Sequence, residues 1–281
     1  MNSFLSIIVV YNPNKDLLVR NICSFVENVD LLMIWQNSVL TDELKNYIAS
    51  LGKIIFVGNG MNQGIPTALN YALSYAIKNG YDYLLTMDQD SVFENFDNYK
   101  KTAINKNKDK LCIIGAYQTF LEKKISKEIF SEYKWVITSG TIFPISLLME
   151  IGGFETSFFI DSVDIEVCIR ARTFGYKCYI CRTGKLIQRY GEKQLFRMLN
   201  KTIYYVVYNP DRIYGIFRNL TMLLITYRMK EIAYELLSFS AIIMKSVLFE
   251  KKNRTKRLFA MLSGIIDGIH KKSLGQKKNK G

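Results

Sequence analysis

Apolar segments and amphipathic segments alternate along the first 90 residues, and this alternation constrains the fold more than any other feature. Runs rich in Ile, Leu and Val predict buried strands at residues 4–11, 31–35, 53–57 and 81–87. Between them, apolar residues recur at helical spacing in residues 17–25, 43–51 and 65–78. Such alternation predicts the α/β class, with a parallel or mostly parallel sheet that helices cover on both faces.

The rest of the chain has a weaker pattern. It predicts a surface helix or loop at 95–110, strands at 111–116 and 177–182, and a turn at 138–141 before an apolar segment at 142–144. From residue 190 onward the spacing is helical and increasingly basic. We therefore predict a helical C-terminal region.

Charge is unevenly distributed along the chain. The formal net charge is +13, but residues 1–181 carry 17 basic and 19 acidic side chains, which leaves +15 for residues 182–281. An apolar fraction of 49% excludes a disordered chain. We expect any polyanion or anionic surface to meet the C-terminal part.

Cysteine usage and hydropathy bear on the compartment. The five cysteines are scattered and the first residues lack the pattern of a secretory signal, so we expect a reducing cytoplasm. The Cys178-x-x-Cys181 pair has no second pair to complete a zinc site. The most apolar region, residues 220–249, is interrupted by charged residues, so we expect no membrane-spanning segment.

Polar residues follow each predicted strand of the first 90 residues. They are Tyr11-Asn12, residues 36–38, residues 59–64 and residues 88–91. Ligands of open α/β sheets bind beyond the carboxyl ends of the strands. The sequence thus predicts a binding site at this edge of the sheet.

Asp88 and Asp90 stand directly after the fourth predicted strand. Paired carboxylates invite a hard divalent cation, Mg²⁺ or Mn²⁺, which in turn could hold a diphosphate. The alternative is a solvated turn that contains two Asp side chains. The spacing alone leaves both open.

A second acidic cluster contains Asp161, Asp164 and Glu166. If a helix begins near residue 165, its dipole favours carboxylates in the first turn. Glu166 and Arg170 are four residues apart and could pair along that helix, which would leave Asp164 available as a base. An exposed capping cluster is the alternative.

The order and spacing of these motifs resemble family 2 glycosyltransferases of the GT-A fold. Segments 6–13, 62–70 and 84–91 are similar to the family's nucleotide-sugar half, and segments 139–141, 152–166 and 170–172 to its acceptor half. Asp88-Gln-Asp-Ser, Phe158-Phe-Ile-Asp and residues 212–219 look like the bacterial rhamnosyltransferase branch. The resemblance implies a glycosyltransferase domain at 1–220, with halves at 1–91 and 92–220, and a helical basic extension at 221–281.

The resemblance also implies roles for individual residues. Asp164 would be the general base, and Asp90 with Asp88 would hold the metal. Arg170 would contact donor phosphate or, equally, pair with Glu166. The implied donor-binding residues are Tyr11, Asn12, Gln36, Asn62, Gly64, Asp88 and Arg170. The implied acceptor-side residues are Ser139, Gly140, Asp161 and Glu166.

The implied reaction is a metal-dependent, inverting transfer of L-rhamnose from dTDP-rhamnose to a lipid-linked saccharide. It would serve synthesis of a surface polysaccharide, O-antigen or capsule, at the inner face of the bacterial cell membrane. Alternatives are a UDP- or GDP-sugar donor and a catalytically silent scaffold of the assembly machinery. A dinucleotide-binding loop at 58–64 is disfavoured because its glycine spacing is wrong by one residue.

Two positions depart from the family pattern. Gln36 stands where members usually have an Asp that contacts the base, and its amide can still form hydrogen bonds. Gln188 stands where a His is frequent, and an amide is a poor metal ligand. We expect lower cation affinity, or a compensating charge from Arg189.

Apolar residues recur at helical spacing in the basic C-terminal region. Residues 258, 261, 262, 265, 266 and 269 share one face of a predicted helix, and Lys and Arg flank it on both sides. This pattern favours a helix that lies on an anionic membrane surface. A helix packed on protein is the alternative. Nucleic acid is disfavoured because no aromatic residue follows Phe259.

Overall fold

The structure is a computed structural model that describes residues 2–118, 128–188, 193–198, 201–250 and 252–275. Side chains are described in these ranges except at 193–204 and after residue 270. The first part alternates strand and helix as predicted, with bounds within two residues of those expected. The elements are β1 Phe4–Val10, α1 Lys15–Cys23, β2 Leu31–Gln36, α2 Asp42–Ala49, β3 Ile54–Val57, α3 Ile65–Lys78 and β4 Tyr83–Asp88.

Capping residues explain where the first helices begin. Asn14 and Thr41 accept hydrogen bonds from backbone N–H groups of α1 and α2, which satisfies donors that have no partner inside the helix. Pro66 stands in the first turn of α3, where its missing N–H is tolerated. The helices therefore start directly after the polar strand-end loops.

The middle of the chain adds antiparallel strands to the sheet. Burial of β6 on both sides makes it a central strand rather than an edge. The elements are β5 Val92–Glu94, α4 Phe96–Asp109, β6 Cys112–Gln118, β7 Phe130–Tyr133, β8 Thr141–Pro144, α5 Ile145–Ile151, α6 Val163–Thr173 and β9 Lys177–Ile187.

The sheet is mixed, in the order β3-β2-β1-β4-β8-β6-β9-β5, with β7 paired to β9. The predicted parallel pairing holds for β3, β2, β1 and β4, and again between β6 and β9. β8 runs antiparallel to both β4 and β6, and β5 and β7 run antiparallel to β9. The parallel part is the half that carries the polar strand ends.

The prediction of helix from residue 190 onward is wrong for residues 193–198 and 201–206. Two strands, β10 Lys193–Met198 and β11 Lys201–Val206, form an antiparallel hairpin there. The run Ile-Tyr-Tyr-Val at 203–206 consists of residue types that favour strands. Helices follow at α7 Pro210–Tyr227, α8 Lys230–Phe249 and α9 Arg254–Gly275.

The chain divides into two compact units. The first unit contains residues 1–159 and 163–189, and the second contains residues 160–162 and 190–281. The predicted boundary at residue 220 lies within α7 and stays a prediction about the extent of the glycosyltransferase domain. The core of the first unit joins the apolar faces of β1, β2 and β4 to α1 and α4.

Small residues let α9 lie directly against α7. Ala260, Gly264 and Gly268 recur every fourth residue, and all three are buried. A Cβ added at Gly264 would lie 2.5 Å from the carbonyl oxygen of Tyr214, and one at Gly268 would lie 2.7 Å from that of Arg218. This contact between the two helices therefore depends on the absence of side chains.

The helix α8 bears on the expectation that the chain has no membrane-spanning segment. Within the described ranges, α8 alone is long and apolar enough, by length and composition, to cross a membrane. The expectation had counted 220–249 as one interrupted stretch, but the helix begins after Arg228, and from residue 236 onward Lys245 is its one charged residue.

A glycine-to-alanine pair tests the α7–α9 contact. We expect Gly264→Ala to destabilise the protein by about 1–3 kcal/mol, because the new Cβ overlaps backbone that cannot move cheaply. Gly215→Ala on α7 is the matched control: nothing lies within 4 Å of its added Cβ, and Ala favours helix by up to about 1 kcal/mol. Thermal denaturation measures both, and equal stability of the two variants would contradict the packing.

Candidate active site

Parallel pairing brings the ends of β1, β2 and β4 to one edge of the first unit. β1 lies between the other two, with Val10 opposite Gln36 and Val9 opposite Asp88. Beyond the strands, the N–H of Asn12 donates to the Ser38 hydroxyl at 2.7 Å. The predicted residues Tyr11, Asn12 and Gln36 therefore lie together with the Asp88 loop.

Gln89 ties the β1 loop to the acidic loop. Its Oε1 accepts from the N–H of Tyr11 at 2.8 Å, and its Nε2 donates to the Tyr11 carbonyl at 3.1 Å. The side chain between the two aspartates thus fixes the backbone of Tyr11, whose ring is about half exposed. Sequence reasoning missed this residue, although its place between Asp88 and Asp90 was the available signal.

Asn37 holds the loop after β3 beside the end of β2. Its Oδ1 accepts from the Trp35 indole and from the N–H of Gln63, both at 3.0 Å. Its Nδ2 donates to the Gly64 carbonyl at 3.3 Å. This buried amide was also missed, since no local pattern distinguishes it from its neighbours Gln36 and Ser38.

Gly64 occupies a position that a side chain would disrupt. Its φ is +79°, and an added Cβ would lie 2.7 Å from the Phe159 carbonyl, which accepts from the N–H of Ile65 at 2.9 Å. Asn62 closes the turn by accepting from the N–H of Gly64 at 3.1 Å. Both predicted residues thus shape the entry to α3.

The acidic loop after β4 is supported from three sides. The N–H of Asp88 donates to the Ser139 hydroxyl at 3.1 Å, and that hydroxyl donates to Ser91 at 2.9 Å. The Asn21 amide donates to the carbonyl of Asp88. Gln188 Nε2 donates to Asp88 Oδ2 at 2.7 Å, while Asp90 is half-buried. Arg189, the predicted compensating charge, lies outside the described residues.

Ser139 and Gly140 support this loop rather than face open space. Both are buried, and Gly140 adopts φ +73° with its N–H donating to the Thr86 carbonyl at 2.8 Å. The hydroxyl of Tyr99 donates to the Gly140 carbonyl at 2.8 Å. Burial raises the pKa of Tyr99 well above its usual value, so this hydroxyl stays a donor.

The first turn of α6 carries Asp164, which is half-buried and accepts from the N–H of Ile165 at 2.9 Å. The helix starts at Val163, two residues earlier than expected. The helix dipole favours a carboxylate in this turn. The role of Asp164 as the base stays a prediction.

Arg170 and Glu166 form a two-point ion pair. Nε and Nη2 of Arg170 lie 2.8 and 2.7 Å from the two carboxylate oxygens, and the side chains are 18% and 6% exposed. Nη2 also donates to the Gly153 carbonyl at 2.8 Å, and Nη1 to that of Ile151. The structure thus contains the pairing that the spacing left open, and the pair fastens α6 to the end of α5; the roles of Arg170 toward the donor and of Glu166 toward the acceptor stay predictions.

Asp161 belongs to the second unit, where its carboxylate pairs with Arg212. Arg212 Nη2 and Nε lie 3.0 and 3.2 Å from the two oxygens. The carboxylate of Asp161, which we expected on the acceptor side, thus forms an ion pair within the second unit.

The carboxylates of Asp88 and Asp90 are the ligand type that a hard divalent cation prefers. No group of three or more His, Cys, Asp or Glu that could hold a metal exists among the described residues. Mg²⁺ and its relatives commonly bind one or two carboxylates, with phosphate oxygens and water completing the shell. Asp88 and Asp90 supply such a pair beside the strand-end loops.

Among curated proteins, the chain is similar to dTDP-rhamnosyl transferase RfbF of Shigella flexneri. The two are 25% identical over 295 residues, which covers 96% of each chain. No family model matches the chain.

Three solved structures have a similar fold. S. aureus TarS 1–349 in complex with UDP-GlcNAc matches 94% of this chain and 81% of its own, with TM-score 0.57 and 13% identity. Mannosyltransferase PcManGT from Pyrobaculum calidifontis, in complex with GDP-Man and Mn²⁺, matches 96% of this chain and 87% of its own, with TM-score 0.56 and 13% identity. GalNAc-T7 with UDP, GalNAc and Mn²⁺ has a TM-score of 0.60 and 10% identity. The match covers 80% of this chain but only about half, 48%, of GalNAc-T7. The chain therefore has the GT-A fold of glycosyltransferases and resembles the rhamnosyltransferase branch of family 2.

Proposed function

We propose that this protein transfers L-rhamnose from dTDP-rhamnose, with inversion at the anomeric carbon, to a lipid-linked saccharide at the cytoplasmic face of the membrane. The acidic loop of Asp88 and Asp90 at the carboxyl end of β4 carries this proposal. The similarity to dTDP-rhamnosyl transferase over 96% of the chain supports the donor. A UDP- or GDP-sugar donor is the alternative.

The loops after β1, β2 and β3 would bind the nucleotide. Asn37 and Gln89 hold these loops by side-chain hydrogen bonds, so their backbone groups are preorganised before a ligand arrives. Tyr11 and Asn12 would line the pocket. Gln36, which replaces the family's Asp, offers an amide donor and acceptor to the base.

Asp88 and Asp90 would hold a divalent cation, which when bound supplies positive charge that stabilises the leaving diphosphate. Asp88 Oδ2 already accepts from Gln188 at 2.7 Å. That hydrogen bond fixes the rotamer of the carboxylate. The Mn²⁺ complexes of GalNAc-T7 and PcManGT support a metal of this class.

Asp164 would act as the general base. It takes the proton of an acceptor hydroxyl as that oxygen bonds to the anomeric carbon. The bond from the anomeric carbon to the diphosphate oxygen breaks, and its electron pair leaves on the diphosphate. A positioned base of this kind contributes about 10²- to 10⁴-fold to the rate.

A membrane location would bring the enzyme to its lipid-linked acceptor. One face of α9 packs on α7 through Ala260, Gly264 and Gly268. Helical geometry puts Phe259, Leu262, Ile266 and Ile269 on the opposite face, and these side chains are 53–73% exposed. We name these four residues the apolar stripe. Two other apolar residues that the sequence placed on one helix face, Met261 and Ile265, instead pack on the core of the second unit.

Asp164→Asn tests the base. We expect the rate of rhamnosyl transfer to fall about 10²- to 10⁴-fold while dTDP binding stays within about twofold, because the amide cannot accept the proton but keeps the side chain's shape. The matched control is Asp42→Asn, the same change in the first turn of the remote helix α2. Radiolabelled transfer assays and titration calorimetry measure the two quantities; wild-type transfer by Asp164→Asn would refute the assignment.

A nucleotide panel tests the donor and the metal. We expect dTDP to raise the melting temperature more than UDP or GDP, and Mn²⁺ to increase that shift. Asp90→Asn should lose the Mn²⁺-dependent part, because one of the two carboxylates is gone. Asp97→Asn on α4 is the matched control.

Other results of the panel would argue against the proposal in distinct ways. A larger shift with UDP or GDP favours the alternative donor. No response to any nucleotide favours the silent scaffold.

Vesicle sedimentation tests the apolar stripe. We expect Leu262→Ser with Ile266→Ser to weaken binding to phosphatidylglycerol vesicles at least about tenfold, since two exposed side chains no longer enter the interface. The matched control is Ile77→Ser with Met149→Ser, two exposed apolar residues of the first unit. Equal binding of both double variants would exclude the stripe as the membrane contact.

A further inference from the structure

The segment 160–162 of the second unit has an unusual backbone. Asp161 and Ser162 are consecutive residues other than glycine with φ of +59° and +62°. L-residues are unfavourable in this left-handed region, and they persist there only when surrounding contacts hold them. Since Val163 begins α6, this segment is the entry to the helix that carries Asp164.

Asn219 of α7 holds the backbone of this segment. Its Nδ2 donates one hydrogen to the Ile160 carbonyl at 2.7 Å and one to the Asp161 carbonyl at 2.8 Å. The side chain is fully buried, so water cannot replace either bond. One amide group thus fixes two successive peptide units.

Two arginines on α7 complete the arrangement. Arg218 Nε and Nη2 lie 3.0 and 2.8 Å from Asn219 Oδ1, which fixes the orientation of the amide. Arg212 pairs with both carboxylate oxygens of Asp161 at 3.0 and 3.2 Å. We name Arg212, Arg218 and Asn219 the α7 clamp.

The helix α9 in turn supports the clamp. A Cβ added at Gly268 would lie 2.7 Å from the Arg218 carbonyl, and one at Gly264 would lie 3.1 Å from the Arg218 N. The backbone of α9 therefore covers the turn of α7 that carries Arg218 and Asn219. The C-terminal helices have a structural task besides any membrane contact.

We propose that the α7 clamp is a positioning device for the candidate base, because it fixes the backbone of Asp161 and Ser162 directly before the first residue of α6. The link to Asp164 is covalent, through two residues. This inference rests on the proposed role of Asp164. Arg212, Arg218 and Asn219 are positioning residues, and displacement of a base by about 1 Å can cost on the order of 10²-fold in rate.

Asn219→Asp is the test variant. It keeps the side chain's shape and the acceptor for Arg218, but it removes the N–H donors that reach the two carbonyls. We expect kcat to fall about 10- to 100-fold with an unchanged KM for the donor. The matched control is Asn209→Asp, the same change at the N-cap of α7, where Asp caps as well as Asn.

A second substitution and a second measurement separate positioning from general damage. Ser162→Gly in the Asn219→Asp background should restore part of kcat, because Gly adopts the left-handed conformation without the clamp. Amide hydrogen exchange of a peptide that covers residues 160–169 should be faster in Asn219→Asp than in wild type. Hydrogen exchange needs no substrate, so it tests the clamp even if the protein transfers no sugar. A failure of sugar transfer in the wild-type protein would refute the proposed function, not the clamp.

Wild-type kcat in Asn219→Asp, unchanged exchange, or an equal loss of kcat in Asn209→Asp would each overturn the inference. If Asn219→Asp does not fold, Arg212→Lys takes its place. The Arg212 side chain is 49% exposed, and Lys keeps the charge without the two-point contact to Asp161. The same two outcomes then decide: a fall in kcat at unchanged KM supports the clamp, and wild-type kcat overturns it.

Discussion

Parallel pairing of β1 with both β2 and β4 is the constraint on which the candidate site depends. Parallel strands end at the same edge, so three loops that are distant in sequence meet there. Hydrogen bonds of 2.7–3.1 Å then join these loops: Asn12 bonds to Ser38, and Gln89 bonds to the backbone of Tyr11. The antiparallel β8 enters beside β4 and brings Ser139 under the acidic loop.

In the part of the chain that the structure describes, side-chain amides and hydroxyls hold the loops at this edge. Asn37 and Gln89 hold loops, and Asn21, Ser139 and Gln188 hold Asp88. Neutral groups suit this purpose because they satisfy buried backbone atoms without adding charge that would compete for a diphosphate or a cation. The hydrogen bonds that join Asn21, Ser139 and Gln188 to Asp88 thus involve neutral side chains.

The strands and helices of the first 90 residues were predictable because each one shows its own pattern of apolar residues, and polar capping residues mark where helices begin. In the mixed half, the strands at 111–116 and 177–182 and the helix within 95–110 were predicted too, but the direction of the strands was not, because it depends on where the chain returns in space. Thus β8 reads as a short apolar run whether it lies parallel or antiparallel to β4. The hairpin at 193–206 was missed since its charged residues mask the strand-forming run at 203–206. Glu166 and Arg170 illustrate a choice that spacing left open and that burial against Ile151 and Gly153 decided.

The sequence by itself determined the α/β class, the parallel start of the sheet, and the acidic residues Asp88, Asp90 and Asp164 on particular strand and helix ends. These features follow from local periodicity and from the rule that strand ends carry ligands. The tertiary structure alone decided which polar groups hold the surrounding backbone. In the first unit, Asn37 and Gln89 hold neighbouring loops and Gln188 bonds to Asp88; within the second, Asn219 holds the carbonyls of residues 160 and 161. A hydrogen bond between residues up to 100 positions apart has no sequence signature, because its partners become neighbours only when the chain has folded.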